Sequence, residues 1–411
     1  MDRRADGNII SVVVPLDYMS VQGGLSQRVK ADITALIHGG YAVEVIYPSH
    51  TNRFQHDLPA RQTAITYASM NNFKLLSEKK RLIVDMSTQM FNPWFHSILR
   101  KRSGEYSVIL AHSPWSAAAA YKVVKARTPI LYVAHNFEYG IIEQTNRNFF
   151  IRKLVHCIEK YACRKATIIL CASEHDMKAF ETVYNISKAR LALSPNTVDI
   201  DSLSQTHTVY NRVAERRKLG IDSSSLLLLF PGRMDYAPNL DALRFIIHEL
   251  VPALRNDGSA INLVIAGAQI PKWCFHNSNE IISFYSDVPD MRRFLSAADA
   301  VIVPLRFGSG TRLKILESFA ARVPVISTDK GAEGIDCRDG SHLLIAQNNA
   351  HDFINKIKLL AASESLQQQL IDNAYDLVVQ QYSISQASRC LTEAITQVQG
   401  QGNHQIEGIC F

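Results

Sequence analysis

The sequence lacks a long hydrophobic run and any close pair of cysteines. No apolar stretch approaches the roughly 20 residues that a membrane-spanning helix needs. The seven cysteines form no Cys-x-x-Cys pair and are interpreted as reduced thiols. Because a strand pattern follows the short polar N-terminal segment directly, we expect the protein to stay in the cytoplasm.

Charged residues are also relatively few, at 20% against 47% hydrophobic residues, which is typical of a globular chain. The 411 residues exceed one ordinary core, so two domains of about 200 residues are expected. The first 200 residues carry 25 Lys and Arg against 16 Asp and Glu, whereas the remainder carries 19 against 22. The basic runs of the first half lack a recognisable nucleic-acid module, so either solvated surface or contact with anionic groups is favoured.

The most informative stretch, residues 300–329, predicts a strand, a glycine-rich turn, a helix and a second strand. Gly308 and Gly310 supply the backbone freedom that a tight turn needs. Leu313, Leu316 and Ala320 share one side of the helix, and Gly310, Lys314 and Glu317 share another. A helix N-terminus with Arg312 and Lys314 beside it would attract an anion such as phosphate.

Two other interpretations of this stretch remain open from the residues alone. Lys314 and Glu317 have the spacing of an ordinary surface ion pair. Alternatively, Gly308 and Gly310 after a strand, with Asp329 at the end of the next, suggest a dinucleotide-binding turn that lacks its third glycine. A Walker A loop is excluded because the turn contains no Gly-Lys-Ser or Gly-Lys-Thr triplet.

The segment Phe307–Glu317 reads FGSGTRLKILE, and it is followed by PVIST at 324–328 and GAEG at 331–334. These motifs resemble the nucleotide-sugar site of retaining glycosyltransferases of family 4. The resemblance implies the GT-B fold, in which two doubly wound Rossmann-like α/β domains face each other across a cleft and a C-terminal helix crosses back to the first domain. The expected divisions are 1–203 for the acceptor side, 204–383 for the nucleotide sugar, and 384–411 for the crossing helix and a tail that is disordered from Gly400. The polar residues 202–218 are predicted to be the domain linker, and residues 284–291 a short crossing segment.

In the first domain, Gly23 and Gly24 follow the first strand, where backbone N–H groups could approach a ligand. His135 ends a later strand and begins a His-Asn-x-Glu cluster that we interpret as functional. Residues 146–165 predict a basic amphipathic helix whose apolar side either packs in the core or touches a membrane surface.

In the second domain, Arg233 ends a strand, where its planar guanidinium suits a phosphate. The family often has a lysine a few residues later, and Asn239 occupies that region here. By resemblance, Glu317 grips the ribose, while Ser309 stands where the family often has a second glutamate. Asp199 and Asp201 spell a metal signature of another architecture, but no further hard ligands accompany them, so no metal site is predicted.

The resemblance implies transfer of a sugar from a nucleoside diphosphate sugar to an acceptor hydroxyl with retained configuration, in cell-surface polysaccharide, glycolipid or glycoconjugate assembly. No cofactor or metal is expected, and the acceptor is a glycan, a lipid-linked sugar or a small molecule. His135, Arg233 and Lys314 are the predicted catalytic residues. The predicted donor contacts are Gly23, Gly24, Arg233, Ser309, Gly310, Thr311, Arg312, Lys314 and Glu317. A nucleotide-sugar epimerase and a non-catalytic binding protein remain alternatives, and contact with the inner face of a membrane is a further expectation.

Overall fold

The chain forms two compact units in a computed structural model that describes residues 9–15, 24–49, 62–68, 89–125, 128–145, 148–222, 224–308 and 311–406. The first unit comprises residues 1–196 and 384–411, and the second comprises residues 197–383. Each unit contains one sheet, and every strand pair in both sheets is parallel. The prediction of two doubly wound α/β domains is confirmed.

The first sheet has seven strands in the order β3-β2-β1-β4-β5-β6-β7. They are β1 (Ile9–Val13), β2 (Ala42–Ser49), β3 (Gln62–Ala68), β4 (Val108–His112), β5 (Ile130–Ala134), β6 (Ile168–Cys171) and β7 (Leu191–Leu193). Strands β4 and β5 are buried along their whole length, as continuous apolar runs in a parallel sheet require.

The helices of the first unit cover both faces of this sheet. They are α1 (Gly24–His38), α2 (Pro93–Arg102), α3 (Pro114–Val124), α4 (Glu138–Thr145), α5 (Phe149–Lys165) and α6 (Glu174–Tyr184), joined by the last helix of the chain, Ile384–Ile406. Leu391 and Ile395 of that last helix pack with Val29 and Ile33 of α1 in one buried cluster. The predicted return of the C-terminal helix to the first domain is therefore confirmed.

The second sheet has six strands in the order β10-β9-β8-β11-β12-β13. They are β8 (Leu226–Arg233), β9 (Ile261–Ala268), β10 (Ile282–Ser286), β11 (Ala300–Val303), β12 (Val325–Ser327) and β13 (Leu344–Ile345). The helices of the second unit are α7 (Ile200–Ser204), α8 (Thr206–Val209), α9 (Arg212–Lys218), α10 (Ala237–Phe245), α11 (Val251–Asp257), α12 (Lys272–Phe275), α13 (Arg292–Ala297), α14 (Leu313–Ala320), α15 (Asp329–Ala332), α16 (Ala350–Ala361) and α17 (Glu364–Gln381). A π-helical turn, Ile246–Leu250, joins α10 to α11.

Two sequence predictions about the second half were wrong. Residues 202–218, predicted as a polar linker, form most of three short helices of the second unit. The third of these helices is anchored there by Arg216, whose buried guanidinium bonds Asp299 at 2.9 Å and the Ala297 carbonyl at 3.2 Å. The segment 284–291, predicted as a crossing connection, begins inside β10, which pairs with β9.

Two predictions about helices were also wrong. The tail was expected to lose order from Gly400, whereas the last helix continues to Ile406. In α5, the buried side consists of Val155, Glu159, Ala162 and Cys163. The interpretation that the apolar side with Phe150 packs in the core is therefore wrong, since the Phe150 side chain is 79% exposed.

Candidate functional site

The second sheet changes the direction of its strand order between β8 and β11. From β8 the chain adds β9 and β10 on one side, and then β11, β12 and β13 on the other. In open parallel sheets, ligands bind outside the carboxyl ends of the strands where this reversal occurs. The segments that follow Arg233 and Val303 therefore form the candidate site of the second unit.

Two glycines bring the backbones of β8 and β9 together beside this position. Gly232 and Gly267 are register partners, and both have positive φ angles, +149° and +156°. A Cβ atom added to Gly267 would lie 1.8 Å from the carbonyl oxygen of Gly232. Only glycine at position 267 allows the two backbones to come this close, and this contact fixes the backbone at the end of β8.

Lys314 reaches from α14 to the end of β8. Its Nζ donates a hydrogen bond to Oδ1 of Asn239 at 2.9 Å and lies 4.3 Å from the centre of the Phe230 ring. Asn239 in turn donates from Nδ2 to the carbonyl oxygen of Arg233 at 2.7 Å. One amide side chain thus connects the strand end that carries Arg233 with the ammonium group of Lys314.

Burial, together with the nearby positive charge of Arg312, lowers the pKa of Lys314 to about 7, while Glu317 opposes the shift. The ammonium is therefore held at a point where its charge is costly for the folded chain. An anion at this position would relieve that cost by compensating the charge.

Arg233 lies at the carboxyl end of β8 and is partly exposed. Its guanidinium bonds the carboxylate of Asp235, with Nε at 3.0 Å from Oδ1 and Nη2 at 2.5 Å from Oδ2. This bond raises the pKa of Arg233, which keeps the group charged. Arg233 thus lies at the end of a strand, as predicted. The sequence pattern gave no indication that Asp235 would pair with it.

Arg312 takes a different position from Lys314. Its side chain is only 6% exposed, and Nη2 lies 3.5 Å from the carbonyl oxygen of Lys330. Gly308 has a φ of +120°, and a Cβ there would lie 3.0 Å from the same Nη2 atom. Arg312 therefore lies beneath the segment around Gly308, beside the buried side chain of Thr311.

The structure thus brings Arg233, Lys314 and Arg312 to one strand-reversal point. Glu317, half-buried, is on the same helix as Lys314 and acts electrostatically on it. Ser309, Gly310 and Gly23 lie outside the described residues. Among the residues that the structure describes, no group of three or more His, Cys, Asp and Glu side chains is arranged to hold a metal ion. Asp199 instead caps α7, accepting a hydrogen bond from the backbone N–H of Ser202 at 3.0 Å.

The first sheet reverses its strand order between β1 and β4. Gly24 is the exposed first residue of α1, whose N-terminus follows β1 along the chain. His112 ends β4, and His135 follows the neighbouring strand β5. Nδ1 of His112 lies 3.1 Å from Nε2 of His135, so the two rings share a hydrogen bond.

A buried ion pair lies behind these histidines. Nε of Arg28 donates to Oδ2 of Asp32 at 2.7 Å, and neither side chain is exposed. Further donors of Arg28 bond the carbonyl oxygen and the hydroxyl of Ser194, both at 2.7 Å. Burial and the charge of Arg28 lower the pKa of His135 to about 3, so this ring is neutral at neutral pH.

Glu138, three residues after His135, begins α4 and accepts a hydrogen bond from Asn136 at 3.3 Å. Burial raises the pKa of Glu138 to about 7. The backbone N–H groups of Glu138 and Tyr139 both donate to the buried carboxyl group of Glu159 at 2.9 Å. Glu159 thereby fixes the first turn of α4 and the end of the segment that carries His135.

The sequence reasoning did not identify Arg28, Asp32 or Glu159 as parts of this site. The available signals were local: Arg28 and Asp32 have i,i+4 spacing, and Glu159 interrupts the side of α5 that also carries Val155 and Ala162. A charged residue within an apolar helix side indicates a buried partner.

Two family models match the chain. The model described as Glycosyltransferase Family 4 matches residues 22–202, and the model described as Glycosyl transferases group 1 matches residues 225–363. The two matches together extend over most of the sequence and divide near the boundary between the two units.

Known proteins agree with these matches. The chain is 23% identical over 386 residues to the D-inositol 3-phosphate glycosyltransferase of Stackebrandtia nassauensis, covering 86% of this chain and 82% of that protein. It is 21% identical over 295 residues to TuaC of Bacillus subtilis, whose name assigns it to teichuronic acid biosynthesis as a glycosyltransferase, covering 71% of each.

Among solved structures, HepE of Anabaena in complex with UDP and glucose superposes with a TM-score of 0.70 at 14% sequence identity, covering 95% of this chain and all of that one. This similarity supports the fold assignment. With both family models matched in the expected order along the chain, the protein belongs to the GT-B glycosyltransferases of family 4 and group 1.

Proposed function

We propose that the protein transfers a sugar from a nucleoside diphosphate sugar to an acceptor hydroxyl and retains the configuration at the anomeric carbon. The observation that carries this proposal is the meeting of Arg233, Asn239 and Lys314 at the β8/β11 reversal point. Two cationic side chains at the carboxyl end of a parallel sheet suit a diphosphate.

In this proposal, Arg233 and Lys314 bind the diphosphate and stabilise the negative charge that develops on it as the sugar leaves. Arg312, buried beneath Gly308, adds positive potential to the same place. Preorganised charges of this kind act strongly in a site with little water. Glu317 would hold the ribose hydroxyls, and Gly308 to Thr311 would supply backbone contacts.

The reaction breaks the bond between the anomeric carbon and the phosphate oxygen, and forms a bond from that carbon to the acceptor oxygen on the same face. The acceptor proton passes to the phosphate oxygen that leaves, so a nucleoside diphosphate and a glycoside are the products. His135 would contact the transferred sugar as a neutral ring, since its pKa is lowered to about 3. No metal ion is part of this proposal.

The relatives suggest the biological setting. TuaC carries a name that refers to teichuronic acid biosynthesis, and HepE was solved with UDP and glucose. We infer an acceptor that belongs to a cell-surface polysaccharide, glycolipid or glycoconjugate. Uridine nucleotide sugars are the first donors to examine.

The test begins with a panel of nucleotide sugars, because a bound donor raises the thermal unfolding temperature of the protein. The donor that stabilises most is then supplied with candidate acceptors, and the nucleoside diphosphate and glycoside are followed by mass spectrometry. Replacing Lys314 by methionine is expected to lower kcat/KM by about 10²–10³-fold. Lys218, an exposed lysine on α9 that pairs with Glu215, is the matched control.

Unchanged kcat/KM in Lys314→Met would overturn the assignment of this site. Conversion of the donor without any acceptor, visible by nuclear magnetic resonance, would instead indicate an epimerase. Donor binding without turnover for any acceptor would favour a binding protein.

The surface of α5 supports a second part of the proposal, contact with an anionic membrane. Phe150, Leu154 and Tyr161 are 79%, 42% and 39% exposed and have the spacing of one helix side. Phe149 is also 67% exposed. Lysine and arginine residues flank this side, namely Lys153, Lys160, Arg164 and Lys165. Exposed rings with flanking positive charge are typical of helices that lie in a membrane interface.

No helix among the described residues is long and apolar enough to cross a membrane. Sedimentation with vesicles tests peripheral contact. We expect the original protein to bind phosphatidylcholine vesicles that contain phosphatidylglycerol. The double variant with Phe149→Ser and Phe150→Ser should bind them more weakly. Val183→Ser is the control, since Val183 is 41% exposed on another helix of the same unit. Equal sedimentation of all three proteins would contradict the proposed contact.

A further inference from the structure

Lys314 is held by a neutral side chain. In the described part of the chain, its hydrogen-bond acceptor is the amide oxygen of Asn239, at 2.9 Å, and the aromatic ring of Phe230 lies 4.3 Å away. Both neighbours favour a cation without neutralising it. Asn239 is only 6% exposed, so its orientation is fixed by the surrounding structure.

The amide of Asn239 is held at both ends. Its oxygen accepts from Lys314, and its nitrogen donates to the carbonyl oxygen of Arg233 at 2.7 Å. This pattern assigns the amide orientation, because a lysine ammonium can only donate and a carbonyl can only accept. An aspartate has the same shape but would lose the bond to Arg233 and place a negative charge on Lys314.

Gly232 leaves the space that this arrangement occupies. A Cβ atom at Gly232 would lie 2.9 Å from Nδ2 of Asn239 and 3.0 Å from Nζ of Lys314. The φ angle of +149° at Gly232 also disfavours other residues. The backbone, the amide and the ammonium are therefore fitted to one another.

We propose that Asn239 is a positioning residue for the donor diphosphate: its amide holds the Lys314 ammonium beside Arg233 and leaves the positive charge available to the phosphates. This inference rests on the proposed function, since it assumes that a diphosphate binds at the β8/β11 reversal point. It adds that the neutral amide, rather than a carboxylate, is what makes Lys314 an anion-binding group.

The charged groups that act on Lys314 come from its own segment, where Arg312 opposes its protonation and Glu317 favours it. At the end of β8, the guanidinium of Arg233 is bonded to the carboxylate of Asp235. With its pKa lowered to about 7, Lys314 exchanges its proton near neutral pH. If a diphosphate binds the protonated form, its measured affinity should fall up to tenfold for each pH unit above about 7, because less of the protein is then protonated at Lys314.

Asn239→Asp is the decisive variant, and its first readout uses the protein without a ligand. Competitive labelling with an amine reagent, followed by peptide mass spectrometry, gives the pH at which Lys314 loses its proton. We expect that pH to rise by at least about one unit in Asn239→Asp, because an adjacent carboxylate stabilises the ammonium. Asn211→Asp is the matched control, since Asn211 is an exposed helix cap and aspartate caps equally well.

The second readout is the affinity for UDP and for GDP between pH 6 and 9, measured by isothermal titration calorimetry. We expect Asn239→Asp to bind at least tenfold more weakly at pH 6 and to lose less affinity as the pH rises. The control variant should follow the original protein throughout this range.

Labelling of Lys314 that is unchanged in Asn239→Asp would overturn the positioning role, even if both nucleotides bind. A shifted labelling profile without binding of either nucleotide to the original protein would overturn the proposed diphosphate site itself, and the inference with it. A variant that loses affinity equally at every pH has only a structural defect and also contradicts the proposal.

Discussion

Two parallel sheets, which share one strand order except for an additional edge strand in the first, end in two different kinds of site. In both, the strand order reverses beside the first strand of the unit, and polar side chains follow the carboxyl ends. In the first unit, Arg28 is compensated by the buried carboxylate of Asp32, and a pair of histidines is neutral. In the second unit, the ammonium of Lys314 donates instead to the neutral amide of Asn239.

The difference indicates where an anion should bind. A buried cation that already has a carboxylate partner gains little from a phosphate, whereas a cation held by an amide gains a great deal. In the proposed reaction, the first unit would therefore receive neutral, hydroxyl-rich groups, and the second unit the diphosphate.

The largest effect is expected from Asp32→Ala in the first unit. The change leaves the guanidinium of Arg28 buried without its carboxylate, which costs about 3–5 kcal/mol in comparable buried pairs. Chemical denaturation measures the loss in the free energy of unfolding. Asp372→Ala is the control, because the Arg322–Asp372 pair of the second unit is well exposed and should change stability by less than about 1 kcal/mol. Equal losses in the two variants would contradict the view that the first network is internally compensated.

Gly267→Ala should have the next largest effect. The added Cβ would lie 1.8 Å from the Gly232 carbonyl oxygen, and the φ angle of +156° adds strain. We expect the free energy of unfolding to fall by about 3 kcal/mol, with weaker donor binding, since the end of β8 must move. Gly104→Ala has nothing within 4 Å of its added atom and should be nearly neutral. Unchanged stability in Gly267→Ala would show that the two strand ends do not need this close approach.

A smaller effect concerns acid stability of the first unit. An unfolded histidine titrates at 6.5, whereas the pKa of folded His135 is lowered to about 3. The unfolded chain therefore binds more protons between these values, so stability falls as the pH drops below 6.5. In His135→Asn, the loss of stability between pH 7 and pH 5 should shrink by up to about 2 kcal/mol, as measured by urea denaturation. His175→Asn, at an exposed position of the same unit, should retain the original pH dependence.

The residues of the second site were largely predictable from the sequence. The apolar run before Pro304, the glycine-rich turn and the helical spacing of Lys314 and Glu317 are local signals of a strand, a turn and a helix. Arg233 was found because it follows an apolar run. The contact between Lys314 and Asn239 was not predictable, since it joins residues 75 positions apart, and α14 reaches the end of β8 only because it packs beside β11 and β12.

The first site was harder to predict because its partners come from distant segments. The guanidinium of Arg28 bonds Ser194, 166 residues away, and His112 meets His135 through the register of β4 and β5. Periodicity shows which side of a helix is apolar, but it does not show which charged residue is buried with it. The exposed side of α5 illustrates the same limit, because both of its sides contain apolar residues.

The most direct test of the account is a crystal structure of the protein with a bound nucleoside diphosphate, beginning with UDP. We expect phosphate oxygens within hydrogen-bond distance of Lys314 Nζ and of the Arg233 guanidinium, beyond the carboxyl ends of β8 and β11. A diphosphate bound instead to the first unit, beside Arg28 and His135, would contradict it.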